Sequence, residues 1–246
     1  MINFNNNQFY IVTGASSGLG RTTALLLNKL GASVVAIARR ADKLDELKTE
    51  CTYSDNLFVE AKDLTERIDE LPKYIKELKE KYGKFSGMAY CAGIAGIQPL
   101  QILDYQESKK MFDINYFAPI QMLKGITDKR CNIGDGTSIV LIASISALTC
   151  DKGHISYAGS KSALCASLKC ISKEVVNRGI RVNWVSPSNI KTPINADLEY
   201  EESQKDLYPF GFGKPDDVAN MIIYLLSDKA KYISGQNYVI DSGGVF

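Results

Sequence analysis

Short apolar segments alternate with helical patterns along nearly the whole chain, and this alternation limits its possible folds most strongly. The apolar segments are continuous runs, as expected of strands that are covered on both faces. Strands joined through helices favour right-handed crossovers and a parallel sheet. The pattern therefore predicts an α/β fold with a doubly wound sheet of seven strands, at residues 9–13, 33–38, 56–60, 85–90, 137–143, 179–185 and 237–240.

The helical segments complete this alternation without any sign of a second domain. A long helical pattern covers residues 104–129, and Pro215 stands where a proline suits the first helical position. No internal repeat, low-complexity segment or linker interrupts the order, so residues 1–246 are predicted to form one domain. The other helices are expected at 21–30, 42–51, 64–82 (with a restart at Pro72), 156–177 and 215–226.

Composition excludes several classes of protein. The 246 residues are 45% hydrophobic and carry a net charge of +1, so a sizeable core is expected and no affinity for nucleic acid or an anionic membrane. No apolar run approaches the ~20 residues of a membrane span, and no signal-peptide pattern precedes the first strand. Six cysteines without a C-x-x-C pair and a single histidine predict reduced core thiols, no metal site and a cytoplasmic protein.

A glycine-rich turn joins the first strand to the first helix. Its glycines, Gly14, Gly18 and Gly20, allow a tight turn and let backbone amides approach a pyrophosphate at the helix N-terminus. The spacing differs from the G-x-G-x-x-G fingerprint, so an ordinary Gly/Ser-rich turn is the alternative. Its position in the first βαβ unit favours dinucleotide binding.

The same residues also match a hydrolase motif. Gly14-Ala-Ser16-Ser-Gly18 has the G-x-S-x-G pattern of a nucleophile elbow, and Asp151 and His154 follow in the order that a serine hydrolase needs. No oxyanion segment of the HGGG type is present, however, and Gly20 is unexplained. The hydrolase is therefore the weaker interpretation.

Tyr157 and Lys161 are spaced for acid–base chemistry. Four residues apart on a helix, they share one face, where the ammonium would lower the tyrosine pKa toward neutrality. A tyrosine with such a pKa can act as a general acid or base near pH 7. Ser144 ends the fifth strand and is expected to reach the same point. The alternative for Tyr-x-x-x-Lys is an ordinary surface pair.

Taken together, the glycine-rich turn and Ser144…Tyr157-x-x-x-Lys161 resemble the short-chain dehydrogenase/reductase family. Further matches follow the chain in order: Asp63-Leu64, Ala92-Gly93, Asn115, and Ile190 with Thr192. The resemblance covers essentially all of the chain. It implies a single Rossmann-type domain with strand order 3-2-1-4-5-6-7 that transfers a hydride between a nicotinamide and a ketone or secondary alcohol.

The resemblance also implies a role for each matching residue. Tyr157 would be the general acid/base, Lys161 would lower its pKa and bind the nicotinamide ribose, Ser144 would bind the substrate oxygen, and Asn115 would hold a proton-relaying water. Expected cofactor contacts are Gly14, Ser16, Ser17, Gly18, Leu19, Gly20, Arg39, Arg40, Asp63, Leu64, Ala92, Gly93, Tyr157, Lys161, Ile190 and Thr192. Two departures stand out: Tyr90-Cys91 replaces the usual Asn-Asn, and Ser188 replaces a glycine.

The end of the second strand bears on the choice of nicotinamide. Enzymes that prefer NAD place an acidic residue there, which accepts hydrogen bonds from the ribose hydroxyls. Here Ala38 occupies that position and Arg39 and Arg40 follow, so a guanidinium is available for a 2′-phosphate. NADP(H) is therefore predicted over NAD(H). The alternative is that both arginines begin the next helix in solvent.

Three further expectations concern substrate, assembly and competing functions. A substrate lid is expected at about 188–213, with Tyr200, Tyr208, Phe210 and Phe212 gripping the substrate, packing the lid or contacting another subunit. The resemblance implies a homo-oligomer, a tetramer or dimer, formed through the helices at 104–129 and 156–177 and the last strand. Beside the reductase, a non-catalytic nicotinamide sensor remains as an alternative.

Overall fold

The computed structural model describes residues 1–193 and 204–243. Seven parallel strands form one sheet in the order β3-β2-β1-β4-β5-β6-β7, which confirms the predicted fold class and strand order. The strands are β1 (Phe9–Thr13), β2 (Ser33–Ala38), β3 (Leu57–Ala61), β4 (Phe85–Tyr90), β5 (Ser138–Ile142), β6 (Arg181–Pro187) and β7 (Asn237–Ile240).

Helices cover both faces of this sheet. On one face α1 packs against α8, and on the other α3 packs against α5 while α7 lies on β6. The helices are α1 (Gly18–Lys29), α2 (Ala41–Glu50), α3 (Leu71–Tyr82), α4 (Tyr105–Phe112), α5 (Ala118–Ile126), α6 (Ser146–Thr149), α7 (Ile155–Val175) and α8 (Pro215–Leu226).

Two hydrophobic cores result, one on each side of the sheet. Successive side chains of a strand point to opposite faces, so Ile11 belongs to the core under α3, α5 and α7, whereas Tyr10 and Val12 belong to the core under α1, α2 and α8. This is why the central strands are apolar at nearly every position. At ~25 cal/mol per Å² of buried apolar surface, the two cores are the main source of stability.

The long helix expected at 104–129 is interrupted in the structure. It consists of α4, a π-helical turn at Asp113–Phe117, and α5. Pro119 contributes to this change because it has no N–H group for the carbonyl four residues earlier. Helical periodicity alone did not reveal the turn, and it also missed the short helix α6 after β5.

The sheet order creates a crevice at the carboxyl ends of the central strands. β1 pairs with β2 on one side and with β4 on the other, so the connections that follow β1 and β4 leave in opposite directions. In doubly wound sheets, ligands bind where the strand order reverses in this way.

Candidate active site

A cleft of about 1030 Å³ occupies this crevice. Its walls come from the segments that follow strands β1 to β6, so they are distant in sequence and adjacent in space. Every predicted catalytic and cofactor residue except Asn115 lines this cleft. Asn115 is fully buried immediately behind its wall.

The glycine-rich turn forms one end of the cleft, and its backbone requires glycine. Gly14 has a φ of +67°, and a Cβ atom at Gly20 would lie only 2.4 Å from the Gly14 carbonyl oxygen. The turn leads directly into α1, whose N-cap residue Ser17 makes no side-chain capping bond. The amides of the first helical turn are therefore free of a side-chain cap and suit an anionic group.

Thr13 ties this turn to the next wall of the cleft. Its hydroxyl accepts hydrogen bonds of 3.1 Å from the backbone amides of both Cys91 and Ala92. The bonds fix the segment after β4 against the end of β1 and shape the floor of the crevice. The sequence motif pointed to Ala92, but the role of the Thr13 side chain emerged only from the structure.

Two arginines, Arg39 and Arg40, stand beside the glycine-rich turn. The guanidinium of Arg40 donates to the hydroxyls of Ser16 at 3.0 Å and Ser17 at 3.2 Å. Arg39 lies 3.8 Å from the Asp63 carboxylate and its side chain is 72% exposed. This end of the cleft therefore carries positive charge. An NAD-preferring enzyme would have an acidic residue at the end of β2, where this chain has Ala38.

Asp63 is held in its ionised form at the same end. Partial burial raises its pKa, but hydrogen bonds from the Thr65 hydroxyl and amide, together with the charge of Arg39, outweigh that effect. The resulting pKa lies below the ordinary value for an aspartate.

Lys161 lies at the other end of the cleft and is 4% exposed. Its ammonium donates a 2.8 Å hydrogen bond to the carbonyl of Ile142 at the end of β5. Burial lowers its pKa to about 8. A cation with a depressed pKa in a cleft is typical of functional sites.

Tyr157 and Ser144 line the cleft beside Lys161. Burial raises the pKa of the Tyr157 phenol above its ordinary value, and interaction with the Ser144 hydroxyl lowers it in part. The ammonium of Lys161 is directed to the Ile142 carbonyl. Ser144 itself is fixed by accepting a 3.1 Å hydrogen bond from the Ser146 amide.

Asn115 sits in the π-helical turn and holds the segment after Gly93. Its side-chain oxygen accepts from the Ile94 amide at 3.1 Å, and its amide nitrogen donates to the Ile94 carbonyl at 2.9 Å and to the Ser160 hydroxyl at 3.2 Å. A Cβ atom at Gly93 would lie 2.9 Å from that side-chain oxygen. Asn115 therefore joins the cleft wall to the helix that carries Tyr157.

Known proteins share this arrangement over nearly the whole chain. A family model described as enoyl-(acyl carrier protein) reductase matches residues 14–244. A 3-oxoacyl-acyl-carrier-protein reductase, FabG, from Thermotoga maritima is 30% identical over 237 residues, covering 95% of this chain and 96% of the relative. A solved short-chain type dehydrogenase/reductase from Mycobacterium ulcerans has a TM-score of 0.89 at 29% identity, covering 98% of this chain and 90% of that one.

The chain belongs to the short-chain dehydrogenase/reductase family. It is therefore an oxidoreductase of a family that acts on CH–OH and C=O groups with nicotinamide cofactors. Its relatives are named for different substrates and cofactors. An NAD-dependent glycerol dehydrogenase from Listeria innocua is also 30% identical over 237 residues, covering 95% of this chain and 92% of that protein.

One departure from the family pattern, Tyr90-Cys91, has clear structural consequences in this short-chain dehydrogenase/reductase. Tyr90 is fully buried, and its hydroxyl donates a 3.0 Å hydrogen bond to the Ile114 carbonyl in the π-helical turn. Cys91 lines the cleft, and burial raises the pKa of its thiol to about 12, so it is not a reactive thiolate. Tyr90 thus supports the turn that carries Asn115.

The predicted lid lies partly outside the described residues, and Tyr200 is among those that are not described. Of the other aromatic residues, Tyr208 and Phe212 are buried and meet edge to face, with ring centroids 5.0 Å apart. Tyr208 also accepts a 3.0 Å hydrogen bond from the Asn189 side chain. Phe210 is 89% exposed. Two of the aromatics therefore pack on the body of the enzyme.

The hydrolase interpretation does not fit this geometry. The Ser16 hydroxyl contacts Arg40 at the glycine-rich turn, whereas the ring of His154 lies beside Tyr157, with 6.0 Å between the ring centroids. The serine is therefore paired with a guanidinium that cannot accept its proton.

The expectations about membrane spans, metal ligands and cysteines can be compared with the structure of residues 1–193 and 204–243. Within that part of the chain, no helix is long and apolar enough to cross a membrane, and no cluster of three potential metal ligands occurs. All six cysteines are free thiols. Cys131 is buried, and Cys51, Cys91 and Cys165 are partly buried against the two cores. The expectation that the cysteines belong to the core is wrong for Cys150 and Cys170, which are exposed.

Proposed function

We propose that this chain is an NADP(H)-preferring oxidoreductase that interconverts a ketone and a secondary alcohol, with Tyr157 as the general acid/base. The main support for the proposal is that one cleft contains two distinct groups of residues, one at each end. One end holds the buried Lys161 with Tyr157 and Ser144, and the other holds the glycine-rich turn with Arg39 and Arg40.

The residues of the cleft fit a nicotinamide dinucleotide. The N-terminus of α1, without a side-chain cap, would hold the pyrophosphate, and Arg39 and Arg40 would hold the 2′-phosphate. Lys161 would hold the nicotinamide ribose. When bound, the cofactor supplies or accepts the hydride at the carbon that changes oxidation state.

The protein groups then have to manage the oxygen of the substrate. Ser144 donates a hydrogen bond to this oxygen and holds it beside Tyr157. In reduction the Tyr157 hydroxyl gives its proton to the oxygen, and in oxidation the phenolate takes the proton back. Because burial raises the pKa of Tyr157, the phenol is protonated at neutral pH and ready to act as an acid. Oxidation of the alcohol should therefore accelerate as the pH rises.

The backbone and the side chain of Asn115 have separate roles: the carbonyl is available to a water, and the side chain stabilises the cleft wall. All of its side-chain hydrogen bonds go to protein groups. Its carbonyl lies four residues before Pro119, which has no N–H to donate to it. We propose that this carbonyl holds the water that relays protons between Lys161 and solvent.

The preference for NADP(H) rests on charge at the end of β2. Ala38 offers no carboxylate to the ribose hydroxyls. The guanidinium of Arg40 donates hydrogen bonds to the Ser16 and Ser17 hydroxyls and is therefore held at the glycine-rich turn. The relatives include a protein named as NAD-dependent, so the preference is a property to be measured for this chain.

One experiment tests the function and the cofactor preference together. Purified protein is titrated with NADPH and NADH and then assayed on a panel of ketones and secondary alcohols, with Tyr157→Phe as the control for catalysis. Arg39→Ala should lower kcat/KM for NADPH about 10-fold and leave that for NADH nearly unchanged. Arg67→Ala, an exposed arginine outside the cleft, is the matched control.

Three results would contradict the proposal. Equal losses for both cofactors in Arg39→Ala would remove the assignment of NADP(H). Cofactor binding without turnover of any carbonyl or alcohol would favour the sensor. Full turnover by Tyr157→Phe would remove the catalytic assignment.

The proposal includes a homo-oligomer. Tyr105 of α4 and Phe117 of the π-helical turn are 74% and 47% exposed, on the helical surface where the family resemblance places a subunit contact. All four residues of the edge strand β7 are only partly buried. Light scattering should give a dimer or tetramer, and a monomer at micromolar concentration would refute this part.

A further inference from the structure

Three isoleucines line the cleft at the end where the substrate would react. They are Ile94, Ile97 and Ile145. Ile94 and Ile97 belong to the segment after β4, and Ile145 belongs to the segment after β5. Neither the proposed proton transfer nor the expected set of cofactor contacts uses any of them. The substrate is therefore the group left to contact this apolar wall.

Ile145 lies directly beside Ser144 and is held in place by its backbone. Its amide donates a 3.0 Å hydrogen bond to the Pro187 carbonyl, and its carbonyl accepts one of 2.7 Å from the Leu148 amide. Only 6% of Ile145 is exposed. Because neighbouring α-carbons are about 3.8 Å apart, Ile145 is within reach of a substituent on the carbon whose oxygen Ser144 would bind.

Ile97 is placed on the same wall as Tyr157 by a close contact between two loops. A Cβ atom at Gly153 would lie 2.7 Å from the Ile97 Cγ2 atom, so the isoleucine side chain rests directly on the glycine. The Gln98 amide donates a 2.7 Å hydrogen bond to the Gly153 carbonyl, which fixes this contact. The next residue, His154, has its ring centroid 6.0 Å from that of Tyr157.

The side chain of Ile97 is held by this contact and still faces solvent. It is 68% exposed, and water is removed favourably from apolar surface of this kind when a ligand covers it. Ligand pockets combine apolar walls with a few polar groups that orient the ligand. Here Ser144 and Tyr157 are suited to orient the ligand, and an apolar substituent would cover Ile97.

The charged side chains at this end of the cleft are exposed and already have partners. The ammonium of Lys110 lies 2.6 Å from the Glu107 carboxylate, and the Asp151 carboxylate accepts a 3.0 Å hydrogen bond from the Thr149 hydroxyl. Asp151 would also repel an anionic substituent. The Nδ1 atom of His154 is buried and out of reach of a ligand. These groups therefore do not form a binding site for an anion.

We infer that Ile97 is a specificity-determining residue and that the substrate carries a hydrocarbon chain of several carbons on the reacting carbonyl. The substrate class is then an alkyl ketone in reduction and the corresponding secondary alcohol in oxidation. Ser144 and Tyr157 bind the oxygen, while Ile97 and Ile145 contact the hydrocarbon chain. This inference rests on the proposed function and adds a substrate class to it.

A series of methyl ketones tests the inference on the intact protein. Methyl ethyl, methyl propyl and methyl butyl ketone each differ by one methylene group, and levulinate has a carboxylate in place of the terminal ethyl group of methyl butyl ketone. The quantity measured is kcat/KM for each with saturating NADPH or NADH. In wild type it should rise about 4-fold per methylene group, and levulinate should be at least about 10-fold poorer than methyl butyl ketone.

Variants separate the role of Ile97 from the intrinsic reactivity of the ketones. Ile97→Ala should lower the ratio of kcat/KM for methyl butyl ketone to that for methyl ethyl ketone about 4-fold, the equivalent of one buried methylene group. Intrinsic differences cancel when this ratio is compared with that of wild type. Ile97→Leu should retain the ratio. Leu100→Ala is the matched control, because Leu100 lies in the same segment, is 66% exposed and does not line this cleft.

The outcomes distinguish this inference from the proposed function. An unchanged ratio in a folded Ile97→Ala protein, as judged by its Tm, or an equal loss in Leu100→Ala would overturn the role of Ile97. If Ile97→Ala changed the mass in light scattering and kept the ratio, Ile97 would be a subunit contact and the inference would be overturned as well.

The substrate class has its own contrary results. A wild-type preference for levulinate, or no rise along the methyl ketones, would overturn the alkyl ketone class, although the enzyme would still be a ketone reductase. Turnover confined to polar members of the wider ketone panel would overturn it in the same way. Failure to turn over any member of that panel would overturn the proposed function itself.

Discussion

The two ends of the cleft are built on opposite physical principles. At the end with the glycine-rich turn, Arg39 is 72% exposed and lies 3.8 Å from its partner Asp63. At the other end, Lys161 is 4% exposed, Asn115 is fully buried, and both make hydrogen bonds to backbone groups within the fold. One end is a set of charges in solvent, and the other is a fixed polar network in a dry environment.

Under the proposed function, the exposed end selects the cofactor and the buried end carries out proton transfer. Exposed ion pairs contribute little to stability because water and salt screen them, so Arg39 and Arg40 are available to pair with an incoming phosphate. Buried groups lose their hydration on folding, and that cost is what holds Lys161 and Tyr157 at shifted pKa values. The exposed end can therefore change its preference by single substitutions, whereas the buried end depends on its network.

The largest expected effect is at the buried end, on catalysis. Tyr157→Phe removes the only proton that the tyrosine can transfer and should lower kcat about 10³-fold. NADPH binding measured by fluorescence should remain within a few-fold of wild type, because the ring stays in place. A variant that kept more than a tenth of wild-type kcat would show that another group moves the proton.

A second test of the buried end measures stability. The pKa of Lys161 in the folded protein is about 8, below its ordinary value of 10.5, so folding at neutral pH carries a cost of about 3 kcal/mol. Lys161→Met should therefore raise the free energy of unfolding at pH 7 by roughly 2 kcal/mol after loss of the bond to the Ile142 carbonyl, while activity is lost.

The pH dependence of this effect has a definite sign. Between pH 8 and 10.5 the unfolded chain holds the lysine proton more tightly than the folded chain, so wild-type stability rises with pH relative to Lys161→Met. Urea unfolding at pH 7 and pH 9.5 measures the difference, which should narrow at the higher pH. A constant difference would place the lysine pKa near its ordinary value.

A substitution at the exposed end of the cleft should change the selectivity between NADPH and NADH. Ala38→Asp places a carboxylate at the end of β2, where it can accept hydrogen bonds from ribose hydroxyls and repel a 2′-phosphate. The ratio of kcat/KM for NADPH to that for NADH should fall about 30-fold, the equivalent of 2 kcal/mol. Steady-state kinetics with both cofactors checks this, and an unchanged ratio would show that selectivity lies elsewhere.

The smallest expected effect is on stability, through the hydrogen bond by which Tyr90 holds the π-helical turn. Tyr90→Phe leaves the Ile114 carbonyl without its 3.0 Å hydrogen bond and should destabilise the protein by about 1 kcal/mol. Tyr74→Phe is the matched control, because the Tyr74 hydroxyl is also buried but has no partner among the described residues. Removing it should be neutral or stabilising. Equal losses in both variants would mean that the bond to Ile114 contributes nothing specific.

Local patterns made much of the site predictable. The turn from Gly14 to Gly20 needs particular backbone conformations, and the Tyr157–Lys161 pair needs a four-residue spacing, so both leave a signature in a few consecutive residues. Arg39 and Arg40 were predictable for the same reason, as they directly follow a clear strand. What these residues contact was not predictable, since Arg40 reaches Ser16 and Ser17 across 24 and 23 positions of sequence, respectively.

By itself the sequence determined the seven-stranded α/β architecture, because apolar runs covered on both faces admit few other arrangements. It also determined which residue types could carry hydride-transfer chemistry. Only the tertiary structure decided that Lys161 is directed to Ile142, that Asn115 clamps Ile94, and that Tyr90 holds the π-helical turn. Those bonds join segments far apart in the chain, and their strength comes from burial, which only the assembled fold creates.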